Sequence, residues 1–167
     1  MHIAILSDTH DHIGNLEKVV AHIRGSVDAV FHLGDWCAPF MPPILAQLNV
    51  PVYACFGNND EDQAGMVQKR GSQFIWTPLW QEFGMAELGG KKIAFCHYPR
   101  LGELLAKTGE YDAVFHGHTH VVRDEKVGKT LLFNLGAVCG IQKGKYGVAS
   151  YAIYDTERSI AEIIEIP

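Results

Sequence analysis

Short apolar runs alternate with amphipathic stretches along the first third of the chain. The runs cover His2 to Leu6, Ala29 to Leu33 and Val52 to Phe56, and between them lie Gly14 to Arg24 and a proline-containing stretch near Pro43 to Leu48. The runs match strands and the longer stretches match helices. Alternation of this kind predicts parallel strands joined by crossover helices. The second half has a different rhythm. Gly84 to Leu88 and Lys92 to Phe95 flank Gly89-Gly90, a two-residue turn signal that predicts a β-hairpin. A helix is expected over Leu101 to Lys107. Strands are expected over Asp112 to Phe115, Thr130 to Leu135, Gly147 to Tyr154 and Ser159 to Ile164, with a turn at Asp155-Thr156-Glu157-Arg158. Asp60 to Trp80 is the least readable stretch. No internal repeat, low-complexity segment or composition shift marks a linker, so residues 1–167 are expected to form a single α/β domain with two sheets packed face to face.

The polar residues that interrupt this pattern are not scattered. They gather at the ends of apolar runs as Asp8-Thr9-His10, Gly34-Asp35, Gly57-Asn58-Asn59-Asp60, a lone His97, and Gly117-His118-Thr119-His120. In parallel sheets ligands collect beyond the carboxyl ends of the strands, and Asp8, Asp35 and Asn58 fall just past three such ends. Asp8 and His10 are two apart after a strand, as are His118 and His120, a spacing that puts both side chains of a pair on one side of an extended segment. Gly34 lets the backbone turn sharply, and the two oxygens of Asp35 suit it to bridging. Taken singly, each cluster has a plainer explanation: Asp8 as a helix cap, Gly-Asp and Asn-rich segments as turns, strand histidines as core or surface residues. His2, His22 and His32 are read that way. Taken together, the clusters offer seven oxygen or nitrogen ligands, too many for one ion and suited to two divalent metals sharing a carboxylate, an arrangement that hydrolyses phosphate esters.

Charge narrows the substrate. The formal net charge is −5 and no Lys/Arg block appears, so stable nucleic-acid binding is not expected and a small substrate is. Neither a secretory signal nor an apolar run of membrane-spanning length is seen, which gives a cytoplasmic expectation. The four cysteines, Cys37, Cys55, Cys96 and Cys139, are widely spaced and form no C-x-x-C pair. Cys55 and Cys96 are read as core. Cys37 and Cys139 fall in loops near the ligand clusters and are read as bystander thiols, placed where a thiolate can compete for metal.

The order D-x-H, G-D, G-N, H, G-H-x-H resembles the calcineurin-like metallophosphoesterase superfamily. With Ser7-Asp8-Thr9-His10-Asp11-His12 at its start, the short chain is similar to the compact YfcE-type phosphodiesterase branch. The resemblance implies a two-sheet β-sandwich flanked by helices. It assigns one metal to Asp8, His10, Asp35 and His120 and the second to Asp35, Asn58, His97 and His118, with Asp35 as the bridge. The implied ions are manganese, nickel, iron or zinc, manganese placed first, and the implied assembly is a homodimer or homotetramer. The implied reaction is hydrolysis of a small phosphodiester by in-line attack of a hydroxide held between the metals. The alternatives are phosphomonoesterase or nuclease action, or a non-catalytic scaffold of the retromer-subunit type. Two positions depart from the pattern. Asn59 stands where much of the superfamily has a histidine that contacts phosphate or protonates the leaving oxygen, and Asn134-Leu135-Gly136-Ala137 departs from an N-P-G-S-like loop. Without an imidazole at position 59, good leaving groups are favoured and His12 becomes the candidate substitute proton donor.

Overall fold

The computed structural model describes all of residues 1–167. In chain order the elements are β1 (His2–Leu6), α1 (Ile13–Ile23), β2 (Ala29–His32), α2 (Met41–Ala46), β3 (Val52–Ala54), α3 (Gln63–Lys69), β4 (Phe74–Trp76), β5 (Phe83–Leu88) and β6 (Lys91–Cys96). They continue with α4 (Pro99–Thr108), β7 (Ala113–Phe115), β8 (Arg123–Val127), β9 (Thr130–Asn134), β10 (Ile141–Gln142), β11 (Lys145–Tyr146), β12 (Ser150–Asp155) and β13 (Ile160–Glu165). One sheet has the order β13-β12-β1-β2-β3-β4 and the other β5-β6-β7-β9-β8, while β10 and β11 form a separate ribbon. Strands β1 to β4 are mutually parallel, as are β6, β7 and β9, and the flanking β12, β13, β5 and β8 pair antiparallel.

Alternation along each strand sorts side chains into layers. Ile3, Ile5, Ala29 and Phe31 point inward and meet Ile93, Phe95, Phe115, Leu131 and Phe133 of the second sheet. Phe31 is the pivot, edge-on to Phe95 and Phe115 at ring-centroid distances of 5.0 and 5.5 Å. Ala4, Leu6, Val30 and Val52 point outward beneath Leu16, Val19, Val20 and Ile23 of α1 and Leu45 of α2. On the far side Leu105 and Ala106 of α4 cover Ala94, Cys96, Val114 and Leu132. The result is the expected pair of facing sheets with helices outside. No helix is long and apolar enough to cross a membrane.

The differences from expectation are local. Helix α2 begins at Met41 because Pro42 and Pro43 fit a first turn, where their missing N–H groups leave no bond unmade. Asp60 to Trp80 contains α3, started by the Asp62 side chain accepting from the Gly65 amide at 2.9 Å, and the parallel strand β4. Strand β8 was not expected because Arg123-Asp124-Glu125-Lys126 carries no apolar alternation; it is an edge strand held by its ladder to β9. In the segment Phe74 to Trp80, Phe74 is buried and Trp76 stacks on Phe56 at 4.5 Å, whereas Ile75, Leu79 and Trp80 are exposed.

His32 is wholly buried, stacked on Trp36, with Nδ1 unpartnered and Nε2 3.3 Å from the Thr9 hydroxyl. Burial drives its pKa well below the usual imidazole value, so the fold holds it neutral. The unfolded chain takes up a proton below about pH 6.5, so His32 lowers folding stability as pH falls through that value, by at most about 1.4 kcal/mol per pH unit. Denaturant unfolding of wild type and His32→Gln between about pH 7.5 and 5.5 checks this. The variant's stability is expected to fall less steeply with acid; parallel slopes would remove His32 as the cause.

Candidate metal centre

Because β1, β2 and β3 run parallel, their exits deliver Asp8, Asp35 and Asn58 to one edge of the first sheet. The exits of β6 and β7 bring His97 and the Gly117 to His120 segment to the same crevice, so all five polar clusters meet. Backbone bonds stitch the loops together: Asp8 N to Gly34 O at 3.0 Å, His10 N to Asp35 O at 3.1 Å, Gly117 N to His97 O at 3.1 Å. The paired side chains do not project from extended segments as the spacing predicts. Asp8, His10, Asp35, His118 and His120 all have positive φ, from 42° to 71°, so the D-x-H and H-x-H pairs are left-handed kinks and not extended segments. Such backbone is costly for residues with a Cβ and persists where the surroundings overdetermine it.

Glycine in these motifs has a steric cause. A Cβ at Gly57 would lie 2.2 Å from Asp35 Oδ1, and one at Gly117 would lie 2.0 Å from Ser7 Oγ and 2.8 Å from Asp8 Oδ2. Each glycine lets one ligand loop rest directly on the carboxylate of another.

The candidate ligand atoms form two groups around Asp35. In the first, His10 Nε2 and His120 Nε2 are 3.2 Å apart, and Asp8 Oδ1 lies 3.8 and 3.2 Å from them. In the second, Asn58 Oδ1 lies 3.1 Å from His97 Nε2 and 2.9 Å from His118 Nδ1, and the two imidazole nitrogens are 3.2 Å apart. Asp35 turns Oδ2 toward His10 Nε2 and Oδ1 toward His97 Nε2, each at 3.5 Å.

These contacts fit cations. His97 Nδ1 lies 2.8 Å from the Leu33 carbonyl, which only an N–H can satisfy, so in the neutral ring Nε2 presents a lone pair to the Asn58 carbonyl oxygen. An acceptor facing an acceptor is repulsive unless a positive charge lies between them. Asp8 is fully buried, yet its Oδ1 has no hydrogen-bond partner. Separations near 3 Å are also the edges of a ligand shell whose bonds to metal are about 2.1 Å long.

Neighbouring groups aim the ligands. Asn59 donates to Asp35 twice, from its amide nitrogen to Oδ1 at 2.9 Å and from Nδ2 to Oδ2 at 2.7 Å. The sequence assigned no task to Asp60, whose carboxylate accepts from the backbone of Gly57, Cys37 and Asp35 at 2.7, 2.8 and 2.9 Å and so ties two ligand loops together. Burial raises the Asp60 carboxyl against the pull of these donors. Buried Asn134, in the departing loop, donates to the Gly117 carbonyl at 3.0 Å and to the Thr119 hydroxyl at 3.1 Å, bracing the G-H-x-H turn. Ser7 Oγ donates to Asp8 Oδ2 at 2.5 Å, and His118 N donates to the same oxygen at 3.1 Å. Burial works to raise the Asp8 carboxyl, but His120, His97 and Ser7 more than offset it and hold it below the usual carboxylate value. Beside Asp8 and Cys139, His120 is raised to about 11. A metal bound there would have to displace a proton from this imidazole, whose Nδ1 contacts the Ile141 carbonyl.

His12 sits at the N-cap of α1, where Nδ1 accepts from Asn15 N at 3.2 Å. Trp36 is buried and donates from Nε1 to the Cys55 carbonyl at 3.2 Å. His116 is buried with Nε2 unpartnered, and burial lowers its pKa. Cys55 and Cys96 lie in the core as expected. Cys37 and Cys139 both reach the centre: Cys37 Sγ is 3.4 Å from His10 Nδ1, and Cys139 groups with His10 and His120. Burial, with Asp11, Asp60 and Asp35 adding, pushes the Cys37 thiol up to about 12.

A family model described as the calcineurin-like phosphoesterase superfamily domain matches residues 1–159. The chain is 32% identical over 161 residues to the phosphodiesterase MJ0936 of Methanocaldococcus jannaschii, covering 95% of each. It is similar to the solved structure of an archaeal phosphodiesterase at 30% identity and a TM-score of 0.88, covering 99% of both chains. Vps29 of Entamoeba histolytica, solved in complex with zinc, shares the fold at 16% identity, a TM-score of 0.67 and full coverage of both chains.

Proposed function

The chain belongs to the calcineurin-like phosphoesterase superfamily, and we propose that it is a phosphodiesterase acting on small phosphodiesters at a two-metal centre. Asp8, His10, Asp35 and His120 would hold one ion and Asp35, Asn58, His97 and His118 the other. The observation that carries this reading is Asp35, whose two oxygens each lie 3.5 Å from an imidazole of a different group. A divalent pair held there would supply Lewis-acid charge to the phosphoryl oxygens and would acidify a water for attack on phosphorus near neutral pH.

The chain's own residues prepare that chemistry. The Leu33 carbonyl fixes the tautomer of His97, so its Nε2 lone pair faces the crevice. The two donations from Asn59 fix the Asp35 carboxylate plane with Oδ2 toward His10 and Oδ1 toward His97. Two carboxylates against two divalent ions leave an excess of about two positive charges, enough to draw a phosphodiester anion to a protein that is acidic overall. Every position of the expected ligand set carries a coordinating side chain, which favours an enzyme over a scaffold.

Metal removal tests the reading. Chelator-treated protein is expected to lose hydrolysis of a bis-nitrophenyl diester and to regain it with two equivalents of a divalent ion. Assayed alongside, a phosphomonoester and an oligonucleotide are expected to turn over more slowly. Undiminished diester hydrolysis by demonstrably metal-free protein would overturn the two-metal centre, and preferred hydrolysis of either other substrate would reassign the substrate class.

A further inference from the structure

We infer that Cys139 supplies a thiolate to the ion held beside Asp8, so that one of the two metal positions contains sulfur and the other only nitrogen and oxygen. The inference rests on the two-metal reading above and adds a ligand to it. Its basis is the path of the loop after β9. Val138 N bonds Ser7 O and Cys139 N bonds Asp8 O, both at 3.0 Å, which lays this loop against the exit of β1. Gly140, at φ 70°, lets the chain turn away immediately afterwards. Cys139 is thereby fixed next to Asp8 and buried. One ligand atom each from His10, His120 and Cys139 lie within 4.8 Å of one another, as do those of Asp8, His10 and Asp35. The two sets share His10, and Asp8 Oδ1 of one set lies 3.2 Å from His120 Nε2 of the other, so the two sets border one space. The buried, unpartnered Asp8 Oδ1 independently marks the same point, 3.2 Å from His120 Nε2.

The other nearby thiol meets the far side of the His10 ring. Cys37 Sγ contacts His10 Nδ1, while His10 Nε2 is the nitrogen that faces His120 and Asp35. Cys37 therefore orients the imidazole from behind. Cys139 would release its proton to solvent as its sulfur bonds to the metal, leaving a thiolate–metal bond and no change of oxidation state. A thiolate among imidazoles and carboxylates favours zinc, iron(II) or cobalt(II) over manganese. The second position, built from Asp35, Asn58, His97 and His118, gains no such preference. Two unlike ions are the consequence, and the manganese expectation then applies to the second position alone.

Cobalt(II) titration of the metal-stripped full chain reads the sulfur directly, because a cobalt–thiolate bond gives a charge-transfer absorption in the near ultraviolet that nitrogen and oxygen ligands do not. Wild type is expected to develop this band with one bound equivalent. Cys139→Ser is expected to bind cobalt without the band, and Cys37→Ser to keep it. In competition assays Cys139→Ser should lose about tenfold or more in zinc affinity at this position while manganese affinity changes little. Bound cobalt without the band in wild type, or a band that survives in Cys139→Ser, would overturn the thiolate ligand and leave the two-metal centre standing. Failure of wild type to bind cobalt at all would overturn both.

Discussion

Asp35→Ala is expected to empty both metal positions together and to lower phosphodiester turnover at least about a thousandfold, about 4 kcal/mol of transition-state stabilisation. A ligand serving one ion removes one ion. Asp35 differs because its Oδ2 faces His10 and its Oδ1 faces His97, so neither group of ligands is complete without it. The loss should not reflect unfolding. Without metal, Asp35 and Asp8 are both buried carboxylates, and deleting one relieves charge in the crevice even as the two Asn59 donors lose their acceptor. Circular dichroism and metal analysis on the same sample separate the cases: native secondary structure with less than one metal per chain is the expected result. Full occupancy of one position would reduce Asp35 to a terminal ligand, and retention of both ions with full turnover would sink the assignment.

The candidate ligands were legible in the sequence because they are polar residues at the ends of apolar runs, where a chain burying its strands has little other reason to cluster them. The reason they converge was legible only in part. Parallel β1, β2 and β3 follow from alternation and local crossovers, but the stacking of β6 and β7 against them is a long-range event that no window of sequence contains. The left-handed kinks at Asp8, His10, His118 and His120 were not legible at all, since spacing alone reads i and i+2 as an extended pair. Asp60 and Asn134 escaped for a different reason. Each does its work through hydrogen bonds to the backbone, and in sequence such a residue looks like any turn residue. Strand β8 shows the converse: its pairing, not its pattern, makes it a strand.

Leaving-group dependence is the other large effect expected. A nitrophenyl diester should be hydrolysed at least about a hundred to ten thousand times faster than an alkyl diester of similar size, the range that general-acid assistance spans where an enzyme has it. The structure strengthens this expectation at position 59. The Asn59 side chain is bound to Asp35 Oδ2 at 2.7 Å, and a carboxamide has no proton of useful acidity to give. His12 is the remaining candidate. Its Nδ1 is engaged as an acceptor by the Asn15 amide, so in the neutral ring the proton sits on Nε2, and the cap it forms is worth about 1 kcal/mol to α1. The two substrates separate proton donation from capping. If His12 only caps, His12→Ala lowers both rates by the same small factor, which is the outcome its N-cap geometry favours. If it protonates the leaving oxygen, the alkyl diester alone slows by about a hundredfold or more and the nitrophenyl diester, whose leaving group needs no proton, is spared. Similar rates on the two diesters in both wild type and His12→Ala would contradict both readings, because they require a proton donor at some other residue of the crevice.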